Sequence, residues 1–82
     1  MRLSDLQKGA SATVQSVDNV AQTDPIADRL RDLGFVRGEP VRLISHGPIG
    51  GDPLLVQIGF TRFALRRTEA ARVGVVAEAL RA

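Results

Sequence analysis

The sequence predicts an all-β (mainly β) fold: a small, partly open barrel of about five strands, with one helix between the first two strands and a short helical turn before the last. Three observations predict it. Only residues 25–33 carry a full set of helix signals. The rest of the chain breaks into short β-forming runs separated by glycine and proline. Two of those runs are joined by Gly59-Phe60 alone, which suits a tight hairpin.

Residues 1–11 read as a lead-in anchored by Leu3 and Leu6, with a turn at Lys8-Gly9. A first strand follows over Ala12–Val17. Ala12 and Val14 share a face and Val17 falls out of phase, which predicts a bulge or an early strand end. Asp24 is placed to cap the next helix, and Pro25 suits its first position. Ile26, Leu30 and Leu33 recur at i, i+4 and i+7 as an apolar stripe. Gly34 supplies the left-handed residue that ends the helix, and Phe35 falls where a Schellman motif packs it on Leu30.

Arg37-Gly38 is a turn, and Val41–Ile44 a strand with Val41 and Leu43 on one face. His46–Pro53, dense in glycine and proline, is expected to be a loop, and Leu54–Ile58 the next strand. Gly59 supplies the positive φ that a type II′ hairpin needs at its first central position. The returning strand points Phe63 and Leu65 inward and Arg62, Ala64 and Arg66 outward. Thr68–Arg72 has room for one helical turn capped by Thr68, Val73–Val76 is a last strand, and residues 77–82 are expected to fray. Closing these strands into a barrel limits exposed sheet edges, and an SH3-like barrel fits their number and spacing.

The 82 residues leave room for one domain, expected to span 1–82, with little apolar area to spare for an enclosed active site. The pI of about 10.4 overstates the positive charge: the net charge is only +2, and ten of the eleven basic residues are arginine, which does not titrate near neutrality. Residues up to Gly34 carry a net −1, and those from Phe35 onward a net +3. With no cysteine, the chain has no disulfide, thiolate metal site or cysteine nucleophile. No apolar stretch approaches the roughly 18 residues needed to cross a bilayer, and the first residues lack a secretory apolar core. The expected location is the cytoplasm, without direct membrane insertion.

Catalytic chemistry is sparse, and the chain is not expected to be an enzyme. The one histidine, His46, reads as a solvated loop residue and not a base or metal ligand, since the single acid near it in sequence is Asp52. Gly47–Asp52 lacks the Gly-Lys-Ser/Thr ending of a phosphate loop and does not open into a helix. No metal or other cofactor is expected. Arg62, Arg66, Arg67 and Arg72 form the densest positive cluster. They suit either a nucleic-acid-binding small barrel or the solvated side of an edge strand. The chain has three phenylalanines and no tyrosine or tryptophan, too few aromatics for base stacking or a proline-peptide groove.

The run Leu30-Arg31-Asp32-Leu33-Gly34-Phe35-Val36-Arg37-Gly38-Glu39-Pro40-Val41 resembles the ferrous iron transport protein A (FeoA) family, in which a helix ending in Leu-Gly-Leu/Phe leads through a second glycine to a strand. Pro48-Ile49-Gly50-Gly51-Asp52-Pro53 is similar to the family's Pro-Leu-Gly-Asp-Pro loop, with Gly51 as an extra residue that predicts a longer, more mobile tip. Ala64-Leu65-Arg66-Arg67-Thr68-Glu69-Ala70 and the opening Leu3–Gly9 are similar to further family segments in the same order.

The resemblance implies an SH3-like cytoplasmic accessory protein that binds the membrane ferrous iron permease (FeoB), which carries its own GTP-binding domain, and modulates its assembly or activity without holding iron. Candidate contact residues are Leu33, Phe35 and Val36 at the helix exit, Ile49 in the loop, Phe60 at the hairpin tip, and Arg62 and Arg66. The stripe and the Schellman contact also explain Leu33 and Phe35 as core. An exposed phenylalanine at a hairpin tip suggests a partner surface. Three alternatives stay open: the nucleic-acid-binding barrel, GTPase activation through Arg62, Arg66 or Arg67, and likeness to the SH3-like domain of iron-dependent repressors. Self-association through a residual strand edge is a further possibility.

Overall fold

A computed structural model describes residues 1–78. A 3₁₀ turn at Leu3–Asp5 leads into β1 (Ser11–Val17), α1 (Pro25–Asp32), β2 (Pro40–Gly47), β3 (Gly51–Ile58), β4 (Thr61–Leu65), α2 (Arg67–Ala70) and β5 (Val73–Ala77). The strands form one antiparallel sheet in the order β4-β3-β2-β1-β5, a partly open SH3-like barrel as expected. Alternate residues of all five strands fill its interior, among them Val14, Leu43, Leu54, Val56 and Val75. Leu3 and Leu6 belong to the same core. The predicted bulge in β1 lies between Val14 and Ser16, and it leaves Val17 half-buried.

Helix α1 ends as its sequence dictates. Gly34 takes φ +109°, its N–H donates to the Arg31 carbonyl at 3.1 Å, and the Phe35 N–H donates to the Leu30 carbonyl at 3.0 Å. The apolar stripe, however, is only partly inward. Ala27 and Leu30 are buried, Leu33 is half-buried and Ile26 is exposed. An eight-residue helix at the margin of a barrel meets the core along a narrow line, which Ala27 and Leu30 occupy.

The expected loop at His46–Pro53 is mostly strand: β2 runs on through Gly47 and β3 begins at Gly51. The extra glycine does not lengthen a mobile tip. Gly50 and Gly51 both take positive φ, as a two-residue type I′ turn demands, and Ile49 and Asp52 exchange backbone hydrogen bonds across it. Gly47 serves a different need. A Cβ there would lie 2.2 Å from the Asp52 carbonyl oxygen, so only glycine lets the two strands approach this closely. We expect Gly47→Ala to destabilise the domain by about 1–3 kcal/mol through forced backbone movement, read from urea denaturation. An unchanged midpoint would mean that this hairpin end yields freely.

Helix α2 starts one residue earlier than expected, and Thr68 does not cap it. The Glu69 carboxylate accepts from the Arg66 N–H at 2.8 Å, and Asp52 Oδ1 accepts from the Arg67 N–H at 2.8 Å. These two carboxylates satisfy free helix N–H groups in place of the Thr68 hydroxyl. Strand β5 takes in Ala77, which pairs with Ala12, so the expected frayed segment does not begin there, and residues 79–82 lie outside the described part. The outer edge of β5 is partly covered: Arg2 bridges to Gly74, and the Val75 N–H donates to the Met1 carbonyl at 2.9 Å.

Candidate functional site

The hairpin between β3 and β4 turns on two residues, with Ile58 opposite Thr61. Gly59 has φ +58° and Phe60 does not take positive φ, which satisfies the type II′ requirement. The turn is braced by the Gln57 side chain, whose Nε2 donates to the Gly59 carbonyl at 3.0 Å. Held on this short arm, Phe60 is fully exposed at 105% of its reference area. An apolar ring that reaches no core position adds nothing to folding through burial.

Behind the tip, register places Arg42, Gln57 and Arg62 in one row across β2, β3 and β4. Arg62 Nε donates to Gln57 Oε1 at 3.0 Å. Arg62, Ala64 and Arg66 are all exposed, while Phe63 is half-buried and Leu65 buried, the alternation the sequence predicts. Beside β4 runs a groove of about 320 Å³. Ile26 and Leu30 of α1 and Leu33 at its C-terminal end form one wall, Phe63 and Leu65 the other, with Arg29, Arg62 and Glu69 as its charged residues. The outward part of the helix stripe therefore faces this groove.

The position of α1 depends on Asp24, which is 4% exposed. Its carboxylate accepts from the Ala27 N–H at 3.2 Å, the Val20 N–H at 3.0 Å and Arg72 Nε at 2.8 Å. The Arg72 hydrogen bond is the main reason its pKa falls to about 2. Arg72 is thereby bound into the structure, and its Nη1 also donates to the Thr68 carbonyl at 2.7 Å. Arg67 Nη1 donates to the Ser4 carbonyl at 3.3 Å. The four-arginine cluster read from the sequence thus divides, with Arg67 and Arg72 used internally and the Arg62 and Arg66 side chains directed outward.

The candidate contact residues separate in the same way. Phe60, Val36 and Ile49 are exposed, the last at 81%. Leu33 is half-buried against the groove. Phe35 is a correction: it is fully buried, its ring centroid 5.9 Å from that of Phe63, because the Schellman turn directs it inward. Sequence reasoning missed Arg29 and Arg42, whose only signal is an outward phase on their elements, and placed Ile26 in the core instead of on the groove, while Phe63 packs against the core as expected and also lines the groove. His46 is exposed on β2, and Asp52 is engaged with the Arg67 N–H. Among the described residues no three His, Cys, Asp or Glu side chains cluster as metal ligands, and no helix is long and apolar enough to cross a membrane.

Comparison with known proteins places this fold. Residues 1–77 match the FeoA domain family. The crystal structure of Stenotrophomonas maltophilia FeoA complexed with zinc, an SH3 domain protein suggested to be a bacterial ferrous iron transport activating factor, is 60% identical with a TM-score of 0.86. The likeness covers 92% of this chain and 88% of that one. The solution structure of Chlorobium tepidum FeoA is 36% identical with a TM-score of 0.81, over 96% of this chain and 71% of that one. A manganese-dependent transcriptional repressor shares the fold alone, at 16% identity and a TM-score of 0.81, over 95% of this chain and 36% of the repressor. No curated protein matches the chain significantly. The family match across nearly the whole sequence, together with the 60% identical structure, establishes that the chain belongs to the FeoA family.

Proposed function

We propose that this protein is a non-catalytic, cytoplasmic accessory factor of ferrous iron uptake that docks on the cytosolic side of the membrane ferrous iron permease and modulates its assembly or activity. The observation that carries this reading is Phe60: in a chain of this family, an aromatic ring stands fully exposed on a braced two-residue turn. Rigid aromatic anchors lose little entropy when a partner covers them and dominate interface energetics. Arg62 and Arg66 follow on the same arm, where positive charge steers association with an acidic surface. Val36 and Ile49 are exposed apolar residues open to the same partner.

The test is a titration of this protein against the purified full-length permease, with and without a GTP analogue. Phe60→Ala is expected to raise Kd by about tenfold or more while leaving stability within about 0.5 kcal/mol. Unchanged affinity in the variant would remove Phe60 as the anchor. Absence of saturable binding in both nucleotide states would remove the permease as the direct partner.

A further inference from the structure

A sheet of five strands has two edges, and here they are treated differently. Met1 and Arg2 lie along part of β5 and bond to it. Nothing among the described residues lies along β4 in that way. The register from Ile58–Thr61 to Leu54–Leu65 pairs Thr61, Phe63 and Leu65 with β3 through hydrogen bonds. By the alternation of an antiparallel ladder, Arg62 and Ala64 direct their N–H and C=O groups away from the sheet. No other hydrogen bond among the described residues uses those backbone groups. An open edge of this kind is a template for one more strand.

The surroundings select the strand. Along β4 lies the groove walled by Ile26 of α1 and by Leu33 at the helix end, so inward residues of an added strand would meet apolar surface. The positive side chains here, Arg29, Arg62 and Arg66, form no ion pair among the described residues, and the one carboxylate, Glu69, already accepts from the Arg66 N–H. A second copy of this chain fits poorly: antiparallel pairing of β4 with itself about Ala64 would bring Arg62 of each copy opposite Arg66, the residue that follows the strand, of the other. An acidic strand meets the opposite condition at both positions.

We infer that the free edge of β4 receives an extended acidic segment of a partner protein as a sixth strand. The segment carries acids opposite Arg62 and Arg66 and apolar residues between them that enter the groove. Its pattern is acid, apolar, any residue, apolar, acid. The inference deepens the proposed docking and rests on that reading only for the source of the segment, the cytosolic part of the permease.

Ala64→Pro removes the outward N–H and leaves the β3 pairing intact, as edge positions allow, and Ala64→Thr is the matched control that keeps the N–H. Binding to the full-length permease is expected to weaken at least about tenfold in the proline variant and to be unchanged in the threonine variant. The second probe is a capped peptide of two glutamates flanking valine-threonine-valine, beside its two-lysine counterpart. The glutamate peptide is expected to slow hydrogen exchange at the Arg62 and Ala64 amides, the lysine peptide is not, and Arg62→Glu with Arg66→Glu should reverse the preference. That reversal decides the matter even if the proline variant fails to fold. Permease binding sensitive to Phe60→Ala but equal in the two Ala64 variants would overturn the added strand and leave the docking reading standing. Peptide protection without permease binding would overturn the docking reading and leave the edge site standing. Equal protection by both peptides, or by neither, would overturn the acidic strand.

Discussion

Phe35→Ala is expected to remove a large share of this domain's stability. The ring is completely buried against Phe63, and its residue also closes the Schellman turn through the Leu30 carbonyl. Truncating a buried phenylalanine costs about 3–5 kcal/mol, as lost transfer energy plus the cavity left behind. A domain of this length has a total stability of about 4–12 kcal/mol, so the loss takes a large share of it. Phe35→Leu keeps most of the volume and should cost less than about 1.5 kcal/mol. Urea denaturation of both variants checks this. A stable Phe35→Ala that lost only partner binding would return Phe35 to the surface role that its position after the helix first suggested.

Asp24→Ala should lower the melting temperature by at least about 10 °C, because one carboxylate serves three partners: a helix cap, a turn N–H and a nearly buried guanidinium. Removing it leaves the Arg72 charge, with only 11% of its side chain exposed, facing no counter-ion. Asp24→Asn keeps an oxygen for the Ala27 N–H and loses the ionic partner, so it should fall between the variant and wild type. The pH dependence has a definite sign. The folded pKa of about 2 lies below the ordinary aspartate value of 3.8, so the stabilisation is complete above about pH 4 and drains away as pH falls towards 2. The stability gap between wild type and Asp24→Asn should therefore narrow across that window. Asp18, held low by its hydrogen bond from Arg2, leaves some acid sensitivity in both proteins. A gap of constant size from pH 5 to pH 2 would show that the ionised carboxylate is not the stabilising form.

These two variants also divide the surface from the frame. Phe60→Ala and Ala64→Pro act where the fold asks little of the side chain, whereas Phe35 and Asp24 hold α1 on the barrel and so set the width of the groove beside β4. Loss of binding in the first pair with stability intact is the pattern a docking surface requires.

Local signals determined the helix and its ends, the β1 bulge, the Gly59-Phe60 hairpin and the inward phase of Leu65, because each depends on neighbours within a few residues. The run of residues around Gly34 and the Ala64–Ala70 segment likewise carried the family likeness without any tertiary information. Where glycine and proline crowded together at His46–Pro53, the same local rules failed. Gly47 is there to admit the Asp52 backbone of the opposing strand, and Gly50-Gly51 to close the hairpin, needs that are visible only once β2 and β3 are paired. Tertiary packing alone decided that Ile26 faces a groove and not the core, that Asp24 meets Arg72 across 48 positions of sequence, and that, among the described residues, β5 is partly covered while β4 is left open. The physical reason is range. Dihedral preference, capping and alternation act along the chain, but burial, ion pairing and the free edge of a sheet arise from which distant segments the partly open barrel brings together.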